Sequence, residues 1–120
     1  MKEFMLLIRT EGDHLLALSP EEQQKHLQQV MAYMGDLTKS GNLKSAQPLE
    51  MDGAILSGSK GKIKDGPFNE TKEVIAGYFL IQAKDLNEAI QIAGKNPVFG
   101  LDDQSQIEVR PIKILEGVNG

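Results

Sequence analysis

The chain has 120 residues, of which 40% are hydrophobic and 25% charged, and its net charge at pH 7 is −4. Its length and composition indicate a single globular domain. The acidic balance and the lack of a basic run disfavour a nucleic-acid partner, because phosphates need a basic surface. The chain has no cysteine, which excludes disulfides, thiolate catalysis and cysteine metal sites.

Metals, membranes and export are also disfavoured. The two histidines, His14 and His26, lack the close spacing of a structural zinc site, although a carboxylate site for magnesium or manganese stays open. We expect neither a metal nor a cofactor. The apolar run in residues 4–8 is too short for a signal-peptide core, and no 18 consecutive residues are apolar. We therefore expect a cytoplasmic protein that does not associate with a membrane.

The first half of the chain predicts a strand, a long helix and an edge strand. Residues 4–9 are apolar on both faces except for Arg9, which is typical of a central, covered strand. Ser19-Pro20-Glu21-Glu22 is a capping box, and the helix is expected to run to about Ser40, with Gly41 as its stop. Residues 43–49 form a weaker strand, placed at an edge by a proline. The helix stripe expected to face the sheet is Leu27, Val30, Met31, Met34 and Leu37, with His26 and Tyr33 along one border.

The second half predicts a hairpin, a strand, a helix and a last strand. The hairpin strands are residues 54–57 and 62–64, joined by a glycine-rich turn at 58–61. Residues 74–83 form a second strand that is apolar on both faces. Asp85-Leu86-Asn87-Glu88 predicts another capping box, for a helix that ends near Gly94. Residues 106–114 alternate as a strand.

This order predicts an α+β fold, a ferredoxin-like split βαβ sandwich with an extra β-hairpin. In such a fold both helices cover one face of an antiparallel sheet. The central strands here are apolar on the other face as well, and large apolar patches usually mark an interface. We therefore expect a homodimer whose two sheets pack face to face into an α+β barrel.

The segment Asp65-Gly66-Pro67-Phe68, which together with residues 69–73 contains four charged groups, predicts a turn that shapes the mouth of a pocket. This motif resembles that of the YCII-related family, also called the DGPF-domain family. Residues 107–112, Ile-Glu-Val-Arg-Pro-Ile, are similar to its terminal strand, and residues 1–8 and 19–22 to its opening. The resemblance covers nearly the whole chain.

The resemblance implies a dimeric α+β barrel, related in fold to muconolactone isomerases and small monooxygenases. One branch of the family carries a His–Asp pair proposed to be catalytic, and such proteins are often encoded beside extracytoplasmic-function sigma factors. Related chains tend to carry tryptophan where Val30 stands, so the pocket is expected to differ in shape here.

His26 and Asp65 are the candidate catalytic residues. His26 titrates in a range that suits proton transfer, and Asp65 would orient its ring if the two meet beside a pocket. The alternatives are a helical histidine without a role and an aspartate that only bonds to its own turn. His14, in a polar loop, is a weaker candidate.

The candidate ligand-binding residues are polar side chains on the predicted strands and near the turn. Glu108 and Arg110 share one face of the last strand, and Arg9 joins them if the first strand is its neighbour. A guanidinium there would hold a ligand carboxylate, or the three would form a structural ion pair. Lys72 would bind an anion or pair with Glu73 at the surface. Tyr78 would contact a ligand or fill the core.

Two functions remain open. The first is a cofactor-free acid–base enzyme of the isomerase or lyase type that acts on a small molecule. The second is a dimeric ligand-binding or regulatory module, associated with a sigma factor and without catalysis.

Overall fold

The computed structural model describes residues 1–66 and 73–120, and only the backbone of Glu73. This part of the chain contains six strands, two α-helices and a short 3-10 helix. In order, they are β1 (Lys2–Glu11), α1 (Pro20–Lys39), β2 (Leu43–Pro48), β3 (Ile55–Ser59), β4 (Lys62–Gly66), β5 (Glu73–Ala83), α2 (Leu86–Gly94), the 3-10 helix (Pro97–Gly100) and β6 (Gln106–Pro111).

The four long strands form an antiparallel sheet in the order β2-β5-β1-β6, and β3 and β4 form a separate two-stranded sheet. The two central strands are the two that the sequence marked as apolar on both faces. β2 lies at an edge, as Pro48 predicted. The arrangement is compatible with a ferredoxin-like fold, and the predicted α+β class is confirmed.

Both helices pack on one face of the sheet. Phe4 and Leu6 of β1 lie opposite Ile81 and Phe79 of β5, and these side chains form one buried cluster with residues of α1 and α2. Side chains alternate between the faces of a strand, so Met5, Leu7, Tyr78 and Leu80 lie on the other face. No helix in the described residues covers that helix-free face.

The helix α1 begins at the predicted capping box but is rotated from its predicted orientation. Its buried residues are His26, Tyr33 and Leu37, whereas Leu27 and Met31 are 50% and 63% exposed. Of the predicted stripe, only Leu37 is therefore buried, and Leu27 and Met31 are not packed into the core. A polar tie that the apolar pattern does not show accompanies this arrangement.

That tie is the Tyr33 hydroxyl, which donates a 2.7 Å hydrogen bond to the Ile92 carbonyl oxygen of α2. The tyrosine ring also packs edge-on against Phe79, with 5.6 Å between ring centroids. Burial raises the pKa of Tyr33 to about 12, so the hydroxyl keeps its proton. The bond directs this face of α1 inward.

Two element ends differ from prediction. The Asp85 carboxylate accepts from the Glu88 amide as expected, but the Glu88 carboxylate accepts from the Lys84 amide instead of closing a capping box. The Asn42 side-chain amide, 3.5 Å from the same oxygen, lies beside it. β6 ends at Pro111, opposite Phe4 of β1, rather than at residue 114.

The hairpin turn is shorter than predicted, and its strands are longer. Lys60 and Gly61 have φ values of 51° and 82°, and positive φ at both central residues is typical of a type I′ turn. The pairing therefore continues through Leu56 opposite Asp65 to Ile55 opposite Gly66. The prediction that Asp65-Gly66 is a turn is wrong, since both residues belong to β4. Pro67 and Phe68 lie outside the described residues.

A β-bulge interrupts the pairing of the two central strands. Ile8 lies opposite Gly77 and Arg9 opposite Ile75, so Ala76 is the extra residue. The Ala76 carbonyl oxygen accepts from the Leu49 amide. A Cβ on Gly77 would lie 2.8 Å from the Gln47 carbonyl oxygen. The close approach of β2 to β5 therefore requires glycine at this position.

We expect Gly77→Ala to lower the free energy of unfolding by about 1–3 kcal/mol, the usual cost of overpacking. Urea unfolding monitored by circular dichroism measures the change. Gly35→Ala is the matched control, because a Cβ there meets no atom within 4 Å. Replacing this helical glycine should raise stability by about 1 kcal/mol. Equal effects of the two substitutions would contradict the close approach.

Candidate functional site

A cavity of about 310 Å³ lies between α1 and the sheet, next to the β-bulge. Ile8, Gly77 and Phe79 form its floor on the sheet, and Val30 and Met34 of α1 lie across from them. The volume is at the lower end of the range for small-molecule sites, about 300–1,000 Å³. The exposed residues of α1, Leu27 and Met31, also line it.

The lining of the cavity is almost entirely apolar. Among the described residues that line it, none is Asp, Glu, Lys or Arg. A charged molecule would lose its hydration there without gaining an opposite charge, which is costly. The lining therefore favours an uncharged molecule. Its polar side chains are His14, Gln23, His26, Gln47 and Asn96.

His26 lies in the second turn of α1 and is only 8% exposed. Its Nδ1 is sealed from solvent and has no hydrogen-bond partner among the described residues. An unpaired buried N–H is rarer than an unpaired acceptor, which favours the tautomer with the proton on Nε2. Burial lowers the pKa of His26 below its usual 6.5, and the nearby His14 lowers it further. His26 is therefore a neutral donor at pH 7.

His14 lies beside His26 on the loop between β1 and α1. The two rings are edge-to-face, with centroids 6.0 Å apart. The loop is held in place: Leu15 donates its amide to the Asp13 carboxylate, and the Gln23 side chain donates to the carbonyl oxygens of Leu15 and Leu18. This bracing fixes His14 against the cavity.

The environment of His14 resembles that of His26 but includes two carboxylates. Its Nδ1 is also buried without a partner in the described part of the chain. Burial lowers the pKa of His14, and the negative charges of Asp13 and Asp102 partly oppose that shift. Two mostly neutral imidazoles thus share one wall of an apolar cavity, and neither Nε2 is among the buried atoms that lack a partner in the described residues.

The predicted His26–Asp65 pair does not form within the described residues of one chain. Asp65 is exposed on β4 and lies opposite Leu56. It does not line the cavity, and the buried Nδ1 of His26 has no acceptor. A dyad needs a partner within about 3 Å to orient the ring. The described residues contain no such partner for His26.

The predicted cluster of Arg9, Glu108 and Arg110 lies on the helix-free face. One Glu108 oxygen is 3.0 Å from Arg9, and the other is 2.9 Å from Arg110. The hydrogen bond from Arg110 is the main cause that lowers the pKa of Glu108, and Arg9 adds to the effect. Glu108 thus forms an ion pair with both guanidinium groups. This geometry matches the alternative in which the three residues form a structural ion pair.

The other predicted ligand-binding residues lie away from the cavity or cannot be placed. Tyr78 of β5 lies opposite Leu7, on the helix-free face. Lys72 lies outside the described residues. The structure therefore brings Arg9, Glu108 and Arg110 together on one side of the sheet and places His26 on the other.

Sequence reasoning undervalued His14 and missed Gln23 and Asn96. Asp13, one residue before His14, is typical of a turn in which a carboxylate accepts a nearby amide. That signal predicts a fixed loop, but the contact of the loop with α1 depends on the tertiary fold. Asn96 is buried, and its side-chain oxygen accepts from the Val98 amide.

Metals and membranes can be assessed over residues 1–66 and 73–120. There, no three His, Cys, Asp or Glu side chains are grouped so that they could hold a metal ion. No helix in those ranges is long and apolar enough to cross a membrane.

We expect the free energy of unfolding to fall as the pH drops from 6.5 to about 5. The pKa values of both histidines are lower in the folded chain than the 6.5 of an exposed histidine. The unfolded chain therefore binds more protons in this window, so acid favours unfolding. Urea titrations between pH 5 and 8 measure this slope.

The double variant His14→Gln/His26→Gln should flatten the slope in that window. Carboxylates with lowered pKa values, such as Glu22 and Asp102, titrate below their usual 4.5 and 3.8 and affect a more acidic range. A slope that is unchanged in the double variant would show that other groups cause it.

Two comparisons relate the chain to known proteins. A model of the YCII-related domain family matches residues 2–114. An uncharacterized protein of Rhizobium meliloti (strain 1021) is 32% identical over 108 residues, which cover 83% of this chain and 83% of that protein. The family match runs from β1 past the end of β6 and includes every element that lines the cavity. The chain therefore belongs to the YCII-related domain family.

Proposed function

We propose that the chain binds an uncharged, mostly apolar small molecule in the cavity between α1 and the sheet. The single observation that supports this proposal is the histidine pair in a mostly apolar cavity with no charged residue among the described residues that line it. The molecule carries one oxygen, of a carbonyl or hydroxyl group, that accepts a hydrogen bond from Nε2 of His26. The apolar walls supply affinity, and the imidazole selects the orientation.

A second candidate is acid–base catalysis by His26 in the same cavity, of the isomerase or lyase type. Its support is the lowered pKa of His26, which leaves the imidazole unprotonated at neutral pH and able to take a proton. The absence of an orienting partner for Nδ1 within the described residues makes binding the better-supported function.

The binding proposal can be tested with three probes that share one bicyclic frame: indane, 1-indanone and indane-2-carboxylate. We expect 1-indanone to bind about 2–10 times more tightly than indane, since a net hydrogen bond contributes about 0.5–1.5 kcal/mol. The carboxylate should bind least, because no cation among the described residues lines the cavity. Chemical-shift titration in NMR spectra measures all three affinities.

Variants locate the site and the hydrogen bond. Val30→Trp should abolish binding by filling the cavity, whereas Ile90→Trp on the exposed side of α2 should not. His26→Phe keeps a ring but removes the donor, so indane and 1-indanone should then bind equally. Tightest binding of the carboxylate, or full binding in Val30→Trp, would refute the proposal.

We also propose that the protein is a homodimer that pairs through the helix-free face. Met5, Leu7, Tyr78 and Leu80 place apolar surface at the centre of this face. The charged groups around them already neutralise one another, as in the ion pairs of Glu3 with Lys44 and of Glu108 with Arg9. Apolar surface surrounded by satisfied charges is the usual anatomy of an interface.

Light scattering should give twice the chain mass of 13.2 kDa. Leu80→Glu should shift the protein to monomer, because it places a charge at the centre of the pairing face. Leu16→Glu, a substitution of an exposed loop residue, should leave the mass unchanged. A concentration of about 100 µM is well above the dissociation constant of a stable dimer. A wild-type protein that is monomeric at this concentration would refute the dimer.

A further inference from the structure

The β3–β4 hairpin, residues 55–66, stands apart from the rest of the fold. Its two strands pair with each other and make no extensive contact with another element in the described residues. Gly66 is half-buried, and every other residue of the hairpin is exposed. A two-stranded hairpin is at best marginally stable alone in water. The hairpin therefore needs a surface to pack on.

The two sides of the hairpin differ: one carries Leu56 and Ile63 beside Asp65, and the other carries the lysines beside Ile55. Leu56 pairs with Asp65 and Gly58 with Ile63, so these four residues share a side. Leu56 and Ile63 are 66% and 75% exposed there. Ser57 and Ser59 pair with Lys64 and Lys62 on the opposite side. This alternation is typical of a hairpin with one side buried, yet nothing among the described residues buries it.

The dimensions of the chain agree with a projecting arm. The radius of gyration is 16.4 Å, whereas a compact domain of this length would have roughly 13.6 Å. The extents are 46 × 42 × 19 Å, so the molecule is broad and flat. These dimensions agree with an element that extends from the compact body, and the hairpin is the element that lacks extensive contacts with the others.

Charge favours a second copy of the chain as the partner. The hairpin carries three lysines and one aspartate, a net charge of +2. The other 108 residues carry ten basic and sixteen acidic residues, a net charge of −6. Opposite net charges steer the hairpin of one copy toward another copy, although Lys62 and Lys64 lie on the side opposite Leu56 and Ile63. Two-fold symmetry lets each copy hold the other.

We propose that the β3–β4 hairpin is an exchanged arm, which packs Leu56 and Ile63 against a second copy of the chain. The arm leaves the sheet after the edge strand β2 and returns to the central strand β5. It therefore reaches the second copy from the rim of the helix-free face. This inference rests on the proposed dimer and is independent of the cavity and its ligand.

A mixed sample of isotope-labelled and unlabelled chains tests the arm directly. In a filtered NOE experiment, the methyl groups of Leu56 and Ile63 on labelled chains should show cross-peaks to protons of unlabelled chains. A dimer in which these methyl groups show cross-peaks only within their own chain, or none at all, would overturn the arm and leave the dimer standing. A monomer would overturn both.

Paired variants measure what the arm contributes. Leu56→Asp/Ile63→Asp should weaken dimerisation by about tenfold or more, since each buried apolar side chain contributes strongly to association. Ser57→Asp/Ser59→Asp places the same two charges on the opposite side of the hairpin and should weaken it far less. Analytical ultracentrifugation gives both constants. Equal effects of the two pairs would contradict the assigned packing side.

Discussion

The rotation of α1 about its own axis is the constraint on which the cavity depends, and the Tyr33 hydroxyl sets it. This hydroxyl donates to the Ile92 carbonyl of α2, so it ties the two helices together above the sheet. With Tyr33 inward, His26 lies inward as well, seven residues or two turns earlier. Leu27 and Met31 then line the cavity and stay partly exposed. One buried polar bond thus helps to determine which side chains of α1 line the cavity.

The order of the elements and most of their ends could be predicted, because they depend on local rules. The Ser19 capping box, the apolar runs of β1 and β5 and the proline at the edge strand are each readable over a few residues. The face of α1 that is buried could not be predicted from hydrophobicity. Tyr33 is a partly polar residue, and its burial depends on the hydrogen bond of its hydroxyl. The Asp65-Gly66 dipeptide was wrongly predicted to be a turn. The turn is at Lys60-Gly61, and the strand pairing that follows from it includes Asp65 and Gly66.

The candidate site was less predictable than the fold because it joins distant segments. Alternation along β6, with β1 as its neighbour, was enough to group Arg9, Glu108 and Arg110. The meeting of His14 with His26 depends on a loop that folds back on α1, held by Gln23. The hydrophobic periodicity of a sequence does not predict such a contact between a loop and a helix. Ala76 and Gly77, at the bulge in β5, also line the cavity, and the apolar pattern of the strand does not show that bulge.

The alternation of side chains along β1 and β5 has an evolutionary consequence. Phe79 lies beneath the cavity, whereas Tyr78 and Leu80, its immediate neighbours, lie on the opposite surface of the sheet. Alternate residues of the same two strands therefore form two separate surfaces. Substitutions at the positions that line the cavity can thus accumulate without altering the opposite surface of the sheet.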